Sequence, residues 1–133
     1  MNSLVKDLSL LGLRLVFGGL MLLNHGWPKF QKLMDYFGGA EVKFANVLGM
    51  GMIPSLFLAV FSELLCAGLL VLGLFTKKAS LPLIITMFIA AFVIHFGDPI
   101  KDKEMALLYL AAYLAIGAFG AGRFSLDDKL LNK

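Results

Sequence analysis

Two charged side chains lie inside long apolar stretches of this sequence, where a charge is costly. Arg14 interrupts the first apolar run, and Glu63 lies near the middle of the second. A charge at the centre of a membrane helix costs about 2.5–3.5 kcal/mol on insertion scales. Steps of four, three and four residues lead from Arg14 to His25, so both fall on one helical face. We predict that Arg14 and Glu63 meet inside the protein as an ion pair or a hydrogen-bonded pair.

Two interpretations of this pair stay open. It can hold two helices in register and do nothing more, because polar pairs inside membranes serve packing as well as activity. It can also line a pocket for a quinone or for the anionic headgroup of a substrate. Tyr109 and Tyr113 lie four residues apart in the last apolar run and are candidates to flank such a ring, although packing alone explains aromatic residues at this spacing.

The histidines raise the question of a metal site. His25 and His95 are predicted on the same side of the membrane, and Glu104 follows the second of them. Imidazole and carboxylate groups are common metal ligands. No recognised motif joins the three residues, however, and histidines near helix ends usually form hydrogen bonds. We therefore predict no metal site. If one exists, His25, His95 and Glu104 are its candidate ligands.

The overall composition is that of a membrane protein. The 133 residues are 59% hydrophobic and 16% charged, whereas soluble domains are nearer half apolar and a quarter charged. A chain this small cannot bury the surplus in one core. The net charge of +3 sits at the ends of apolar runs, so membrane orientation explains it better than nucleic-acid binding. With Cys66 alone, an intramolecular disulfide and a CxxC motif are excluded.

Four apolar runs predict an all-α fold, a single membrane domain over residues 1–133 built as a four-transmembrane-helix bundle. Crossing the hydrocarbon takes roughly 17–25 helical residues, and runs that are continuously apolar do not suit a β-barrel. The predicted spans cover residues 5–25, 53–75, 79–96 and 104–121. Apolar residues at helical spacing also predict a short helix on the membrane surface over residues 41–49.

Lysines and arginines near the ends of the spans predict the orientation. The short loop that contains Lys77 and Lys78 is the strongest signal, because short loops follow the positive-inside rule most closely. It favours both termini in the cytoplasm. Arg14 interrupts the first run and no small-residue cleavage site follows, so this run is not expected to be removed as a signal peptide.

The order of several short segments also carries a family resemblance. Besides Arg14 and Glu63, the sequence contains HGWPK at residues 25–29, GLFTK at 73–77 and GAGRFSLD at 120–127. In this order they resemble the DoxX family of small four-helix membrane proteins of the bacterial inner membrane. The resemblance implies kinship with the DoxD and DoxA subunits of thiosulfate:quinone oxidoreductase. It also implies that Arg14 holds a quinone oxygen or an anion, with Glu63 as its charge partner or proton relay and His25 as a hydrogen-bond donor near the outer surface.

The function expected from this resemblance is that of a membrane subunit in a quinone-linked redox or oxidative-stress system. Its partners would be the lipid bilayer, membrane or periplasmic redox proteins, or further copies of the chain. No redox cofactor motif is present, so no cofactor is evident from the residues, and a quinone is the candidate that the resemblance offers. Whether the chain is itself an enzyme stays open. The alternatives are a non-enzymatic scaffold or assembly protein with a structural Arg–Glu pair, and a small transporter. Nothing in the spans resembles the matched, broken helices of a transporter.

Overall fold

The computed structural model describes residues 3–131, and every regular element in this part of the chain is a helix. The helices are α1 (Ser3–Phe37), α2 (Met52–Leu72), α3 (Thr76–Ile94), α4 (Ile100–Phe119) and α5 (Leu126–Leu130). A single 3-10 turn at Val47–Gly49 lies in the loop between α1 and α2. The predicted all-α fold class is confirmed.

Three helices within residues 3–131 are long and apolar enough to cross a membrane, namely α1, α2 and α3. Helix α4 has 20 residues, but its first turn is highly charged and shortens its apolar part. The charged residues of this turn are Lys101, Asp102, Lys103 and Glu104. Sufficient length and apolar composition for a crossing are therefore confirmed for three of the four predicted spans, and the fourth stays a prediction.

Helix α1 continues about three turns past the predicted end of the first span, to Phe37. Pro28 does not stop it, because a π-helical segment at Leu22–Gly26 comes directly before the proline-containing turn. A wider turn of this kind relieves the clash between a proline ring and the carbonyl of the turn before it. The 35-residue helix is about 52 Å long at a rise of about 1.5 Å per residue. It is therefore longer than a hydrocarbon layer of about 30 Å.

The helix predicted over residues 41–49 is wrong, since only Val47–Gly49 is helical there and it forms a 3-10 turn. A side chain competes for the backbone in this loop. The hydroxyl of Ser55 accepts the N–H of Val47 at 2.9 Å, and such local bonds offer the chain an alternative to a helix. Leu48 adopts a φ of +50°, which no α-helix accommodates.

Helices α1 and α2 approach each other most closely at two glycines of α1. A Cβ atom on Gly18 would lie 3.1 Å from the carbonyl oxygen of Ala67, and one on Gly26 would overlap the carbonyl group of Glu63. Small residues at such contacts let two backbones come together, as is common in membrane helix pairs. The two helices are therefore held face to face from Gly18 to Gly26, and the second glycine fixes the position of Glu63.

We expect Gly26→Ala to lower the free energy of unfolding by about 1–3 kcal/mol, because its Cβ would force α1 away from α2. The matched control is Gly19→Ala in the same helix, where an added Cβ meets no atom within 4 Å. Thermal unfolding and SDS titration in mixed micelles would measure both variants. Equal stability of the two variants would contradict the close approach at Gly26.

Candidate functional site

An ion pair between a half-buried lysine and a buried carboxylate joins α1 to α2. Lys29 Nζ donates to Glu63 Oε1 at 2.5 Å, and the side chains are 25% and 3% exposed respectively. Charge-assisted bonds of this length are among the strong polar contacts in proteins. Gly26 allows the bond, because it brings the turn before Lys29 directly against the Glu63 backbone. Glu63 is thus a buried carboxylate with a cation as its partner.

The predicted pair between Arg14 and Glu63 is wrong. Arg14 is buried, and its Nη2 donates to the carbonyl of Phe124 at 2.6 Å. Its guanidinium lies beside Gly73, just past the end of α2. Gly73 follows Glu63 by ten residues, which corresponds to about 15 Å along a helix. Both residues face the interior, as their periodicity indicates, but they lie at different heights in the bundle.

A cavity of about 570 Å³ adjoins the Lys29–Glu63 pair. All four long helices and the loop before α2 contribute to its lining. Most of the lining is aliphatic or thioether surface, including Met21, Leu58, Ala59, Ile85, Met87 and Met105. Small-molecule sites in proteins span about 300–1,000 Å³ and combine an apolar lining with a few polar groups. The size and composition of this cavity match that description.

The cavity follows from the way the helices pair. The Met52–Val60 part of α2 packs on the Trp27–Phe37 part of α1, whereas the Ala90–Ile94 part of α3 packs on α4. Only further along does α2 contact α3 extensively, through Phe61–Cys66. Two helix pairs therefore separate towards the Lys29 end of the bundle, and the cavity lies between them.

Two aromatic groups lie beside the ion pair on the cavity wall. The rings of His25 and Tyr109 meet edge to face with centroids 5.7 Å apart, and both residues line the cavity. His25 precedes Lys29 by four residues and so shares its face of α1. The polar end of the cavity thus brings together one carboxylate, one ammonium, one imidazole and one phenol.

A second polar contact lies in the same lining. Thr86 Oγ1 donates to Ser62 Oγ at 2.8 Å, which links α3 to α2. Ser62 is the residue before Glu63, so this hydroxyl pair belongs to the same stretch of α2. The cavity therefore has hydrogen-bonding groups on all four of its helical walls.

The other predicted site residues fall in different places. Tyr113 is fully buried in the core, where its hydroxyl donates to the carbonyl of Phe17 at 2.9 Å. His95 lies on the cavity wall, and its Nδ1 is 3.0 Å from Asp98 Oδ2. Within residues 3–131, no three His, Cys, Asp or Glu side chains gather as a metal site would require. The candidate set of His25, His95 and Glu104 is therefore not assembled in the described chain.

Lys29 is the site residue that sequence reasoning missed. In the sequence, Lys29 is the last residue of HGWPK and lies beyond the predicted end of the first span at residue 25. The usable signal is its spacing of four residues from His25. A helix that continues through Pro28 puts both side chains on one face.

A separate cluster holds the C-terminal segment against the opposite end of the bundle. The carboxylate of Asp127 accepts the N–H groups of Phe75 and Thr76 at 2.7 and 2.9 Å, which caps the start of α3. The N–H of Asp127 in turn donates to the carbonyl of Gly73 at 2.8 Å. Together with the Arg14 bond to Phe124, these contacts fasten the segment after α4 to the α2–α3 turn.

The part of the chain that matches a known protein family includes Lys29 and Glu63. Residues 9–96 match the family model described as DoxX. An uncharacterized protein of Haemophilus influenzae (strain ATCC 51907 / DSM 11121 / KW20 / Rd) is 33% identical over an alignment of 142 positions that covers all of both chains. No solved structure gives a significant match.

Proposed function

The chain belongs to the DoxX family of membrane proteins, and from that premise we propose that it is a quinone-binding membrane subunit of a redox system. One observation carries the proposal: an apolar cavity adjoins the buried Lys29–Glu63 pair. A quinone has the same division, with two hydrogen-bond-accepting carbonyls on its ring and a hydrocarbon tail. The cavity offers donors at one end and apolar surface along the rest.

The donors fit a quinone carbonyl. An ammonium group has three N–H donors, and Glu63 engages one of those on Lys29, so others are available to a ligand. The imidazole of His25 on α1 and the phenol of Tyr109 on α4 also line the cavity. Lys29 therefore takes the role that the family resemblance gave to Arg14, and Glu63 is its charge partner.

The tail has a route into the bilayer. Leu58 of α2, Ile85 of α3 and Met105 of α4 line the cavity and are each more than half exposed on the outer surface of the bundle. Residues that both line a cavity and face lipid mark an opening between helices. An isoprenoid tail leaves by this opening without crossing polar surface.

This binding mode requires α4 to cross the membrane beside α3. Helix α4 is about 30 Å long, and Tyr113 and Ile116 on its inner face are fully buried. We propose that its charged first turn lies at the membrane surface and that the chain crosses the bacterial inner membrane four times. With the first turn of α3, which contains Lys77 and Lys78, on the cytoplasmic side, both termini are cytoplasmic and the Lys29 end faces outward. Redox partners would then dock on the outer side.

Titration of the purified protein in quinone-free nanodiscs with a short-chain benzoquinone tests the proposal. Trp27 is the single tryptophan and lies two residues before Lys29, so its fluorescence reports on quinone near the pair. We expect saturable quenching that Lys29→Met weakens at least tenfold, because a bond to a charged donor contributes about 1.5–3 kcal/mol. Ala59→Phe, which fills the cavity, should weaken quenching as well.

The matched control is Lys32→Met. Lys32 lies on the same helix, but its Nζ donates to the carbonyl of Lys43 and the residue does not line the cavity. It should retain the quenching of the natural sequence. Quenching that is linear in quinone and equal in all variants would reflect partition into lipid. That result would overturn the proposal and favour the scaffold alternative.

A further inference from the structure

An open notch of about 830 Å³ lies at the other end of the bundle, where α3 begins and α4 ends. Its basic lining consists of Lys77, Lys78 and Arg123, and we call this site the dilysine notch. Apolar side chains form the rest of its rim, namely Phe75, Phe119 and Leu131. Each of the three is more than 45% exposed. The notch thus combines basic groups with uncovered apolar surface at the end of membrane-spanning helices.

Three carboxylates also line the notch, those of Asp7, Asp127 and Asp128. The first two accept hydrogen bonds, whereas the side chain of Asp128 forms none with residues 3–131. Asp127 caps α3 with both carboxylate oxygens. Asp7 accepts the N–H of Arg123 at 3.1 Å. Within residues 3–131, by contrast, neither Lys77 nor Lys78 forms an ion pair. Two ammonium groups are therefore free to bind an anion.

The side chain of Lys77 is positioned by its packing against Gly120. A Cβ atom built on Gly120 would lie 3.4 Å from Cε of Lys77, so the stem of this lysine runs along the glycine. Gly120 has a φ of +83°, a conformation that L side chains rarely adopt. Lys6 lies on the same rim, with Nζ 5.7 Å from the ring centroid of Phe119. Long cationic side chains that rest on apolar surface in this way are typical of a membrane interface.

We propose that the dilysine notch binds the phosphate headgroup of an anionic phospholipid. Lys77 and Lys78 would contact the phosphate, and the acyl chains would lie along Phe75 and Phe119. The exposed apolar rim favours a lipid over free phosphate, because a lipid has acyl chains that can cover the rim and free phosphate has no apolar part. The anionic lipids of a cytoplasmic leaflet attract basic residues at this position. The site is at the far end of the bundle from the quinone cavity and does not depend on it.

Lipid retention by the full-length protein tests this inference. The chain is purified in a mild detergent, mixed with equal amounts of phosphatidylglycerol and phosphatidylcholine, and examined by native mass spectrometry. We expect selective retention of phosphatidylglycerol. The double variant K77Q/K78Q should bind it about 10- to 30-fold more weakly, since each basic residue contributes modestly near an anionic surface. K77R/K78R keeps the charges and should restore retention.

The matched control is K101Q/K103Q, which removes two lysines from the opposite end of the bundle. It should retain phosphatidylglycerol as the natural sequence does. Equal loss in both double variants, or equal retention of the two lipids, would overturn the inference. So would displacement of the lipid by millimolar inorganic phosphate, which would identify a site for free phosphate. Quinone quenching of Trp27 should be unchanged in K77Q/K78Q, because the notch is at the other end of the bundle from the cavity. The lipid measurement and the quenching measurement therefore test the two proposals separately.

Discussion

Lys29→Met is expected to lower the free energy of unfolding by about 3–5 kcal/mol, the largest effect of any single substitution considered for this protein. The reason is the asymmetry of the pair: the side chain of Glu63 is 3% exposed and that of Lys29 is 25% exposed. Removing the lysine leaves a buried carboxylate without its cation. Removing the carboxylate instead leaves an ammonium that can reach water along a flexible stem. Glu63→Gln should therefore cost clearly less than Lys29→Met.

A double-mutant cycle measures this effect. SDS titration in mixed micelles gives the free energy of unfolding for Lys29→Met, Glu63→Gln and the double variant. We expect the double variant to be more stable than the sum of the single effects implies, because neither buried charge is then left alone. Lys32→Met is the control for loss of a lysine from the same helix. A Lys29→Met protein as stable as this control would contradict the buried ion pair.

The same variants separate a structural role from a ligand-binding role. If the pair only holds α1 and α2 in register, the double variant recovers stability and no binding property changes. If Lys29 also donates to a ligand, the double variant recovers stability but quinone quenching stays weak. Stability and binding therefore give independent answers about the two interpretations that the sequence left open.

The elements that were predicted well are those whose signal is local. Helices α2 and α3 follow continuous apolar runs. The turn between them was predicted at residues 76–78, but it lies at residues 73–75, where Gly73 ends α2 with a φ of +71°. The end of α1 was predicted at residue 25, because Gly26 and Pro28 normally terminate helices. Here Gly26 serves contact with α2, and a π-helical turn accommodates the proline. Both reasons depend on the neighbouring helix, which the local pattern does not contain.

The candidate site shows the same division. Periodicity assigned Arg14 and Glu63 to inward faces, and both are buried. Periodicity gives the angle of a residue around its helix but not the height at which a neighbouring helix passes. That height depends on the path of the loop between α1 and α2, where the predicted helix over residues 41–49 is replaced by side-chain-capped turns. Lys29 was missed for the same reason, since it joins the site only if α1 continues.

The C-terminal segment allows a prediction at the other end of the bundle. Asp127→Ala is expected to cost about 2–4 kcal/mol in free energy of unfolding, because it removes the two charge-assisted hydrogen bonds that cap α3. The cost extends to a neighbour. Without the Asp127 carboxylate, we expect the segment to hold the carbonyl of Phe124 less firmly against the buried guanidinium of Arg14. Asp127→Asn keeps one acceptor oxygen and should lose about half as much.

Limited proteolysis measures this effect locally. Trypsin cleaves after Arg123, which lies in the segment that Asp127 fastens to the α2–α3 turn. We expect Asp127→Ala to be cut there several-fold faster than the natural sequence in detergent micelles. The control is Asp128→Ala, since the carboxylate of Asp128 forms no hydrogen bond with residues 3–131 while the neighbouring backbone is unchanged. Equal cleavage of the two variants would mean that Arg14 and Gly73 hold the segment without the cap. Faster cleavage of Asp127→Ala alone would show that this carboxylate holds the C-terminal segment against the α2–α3 turn.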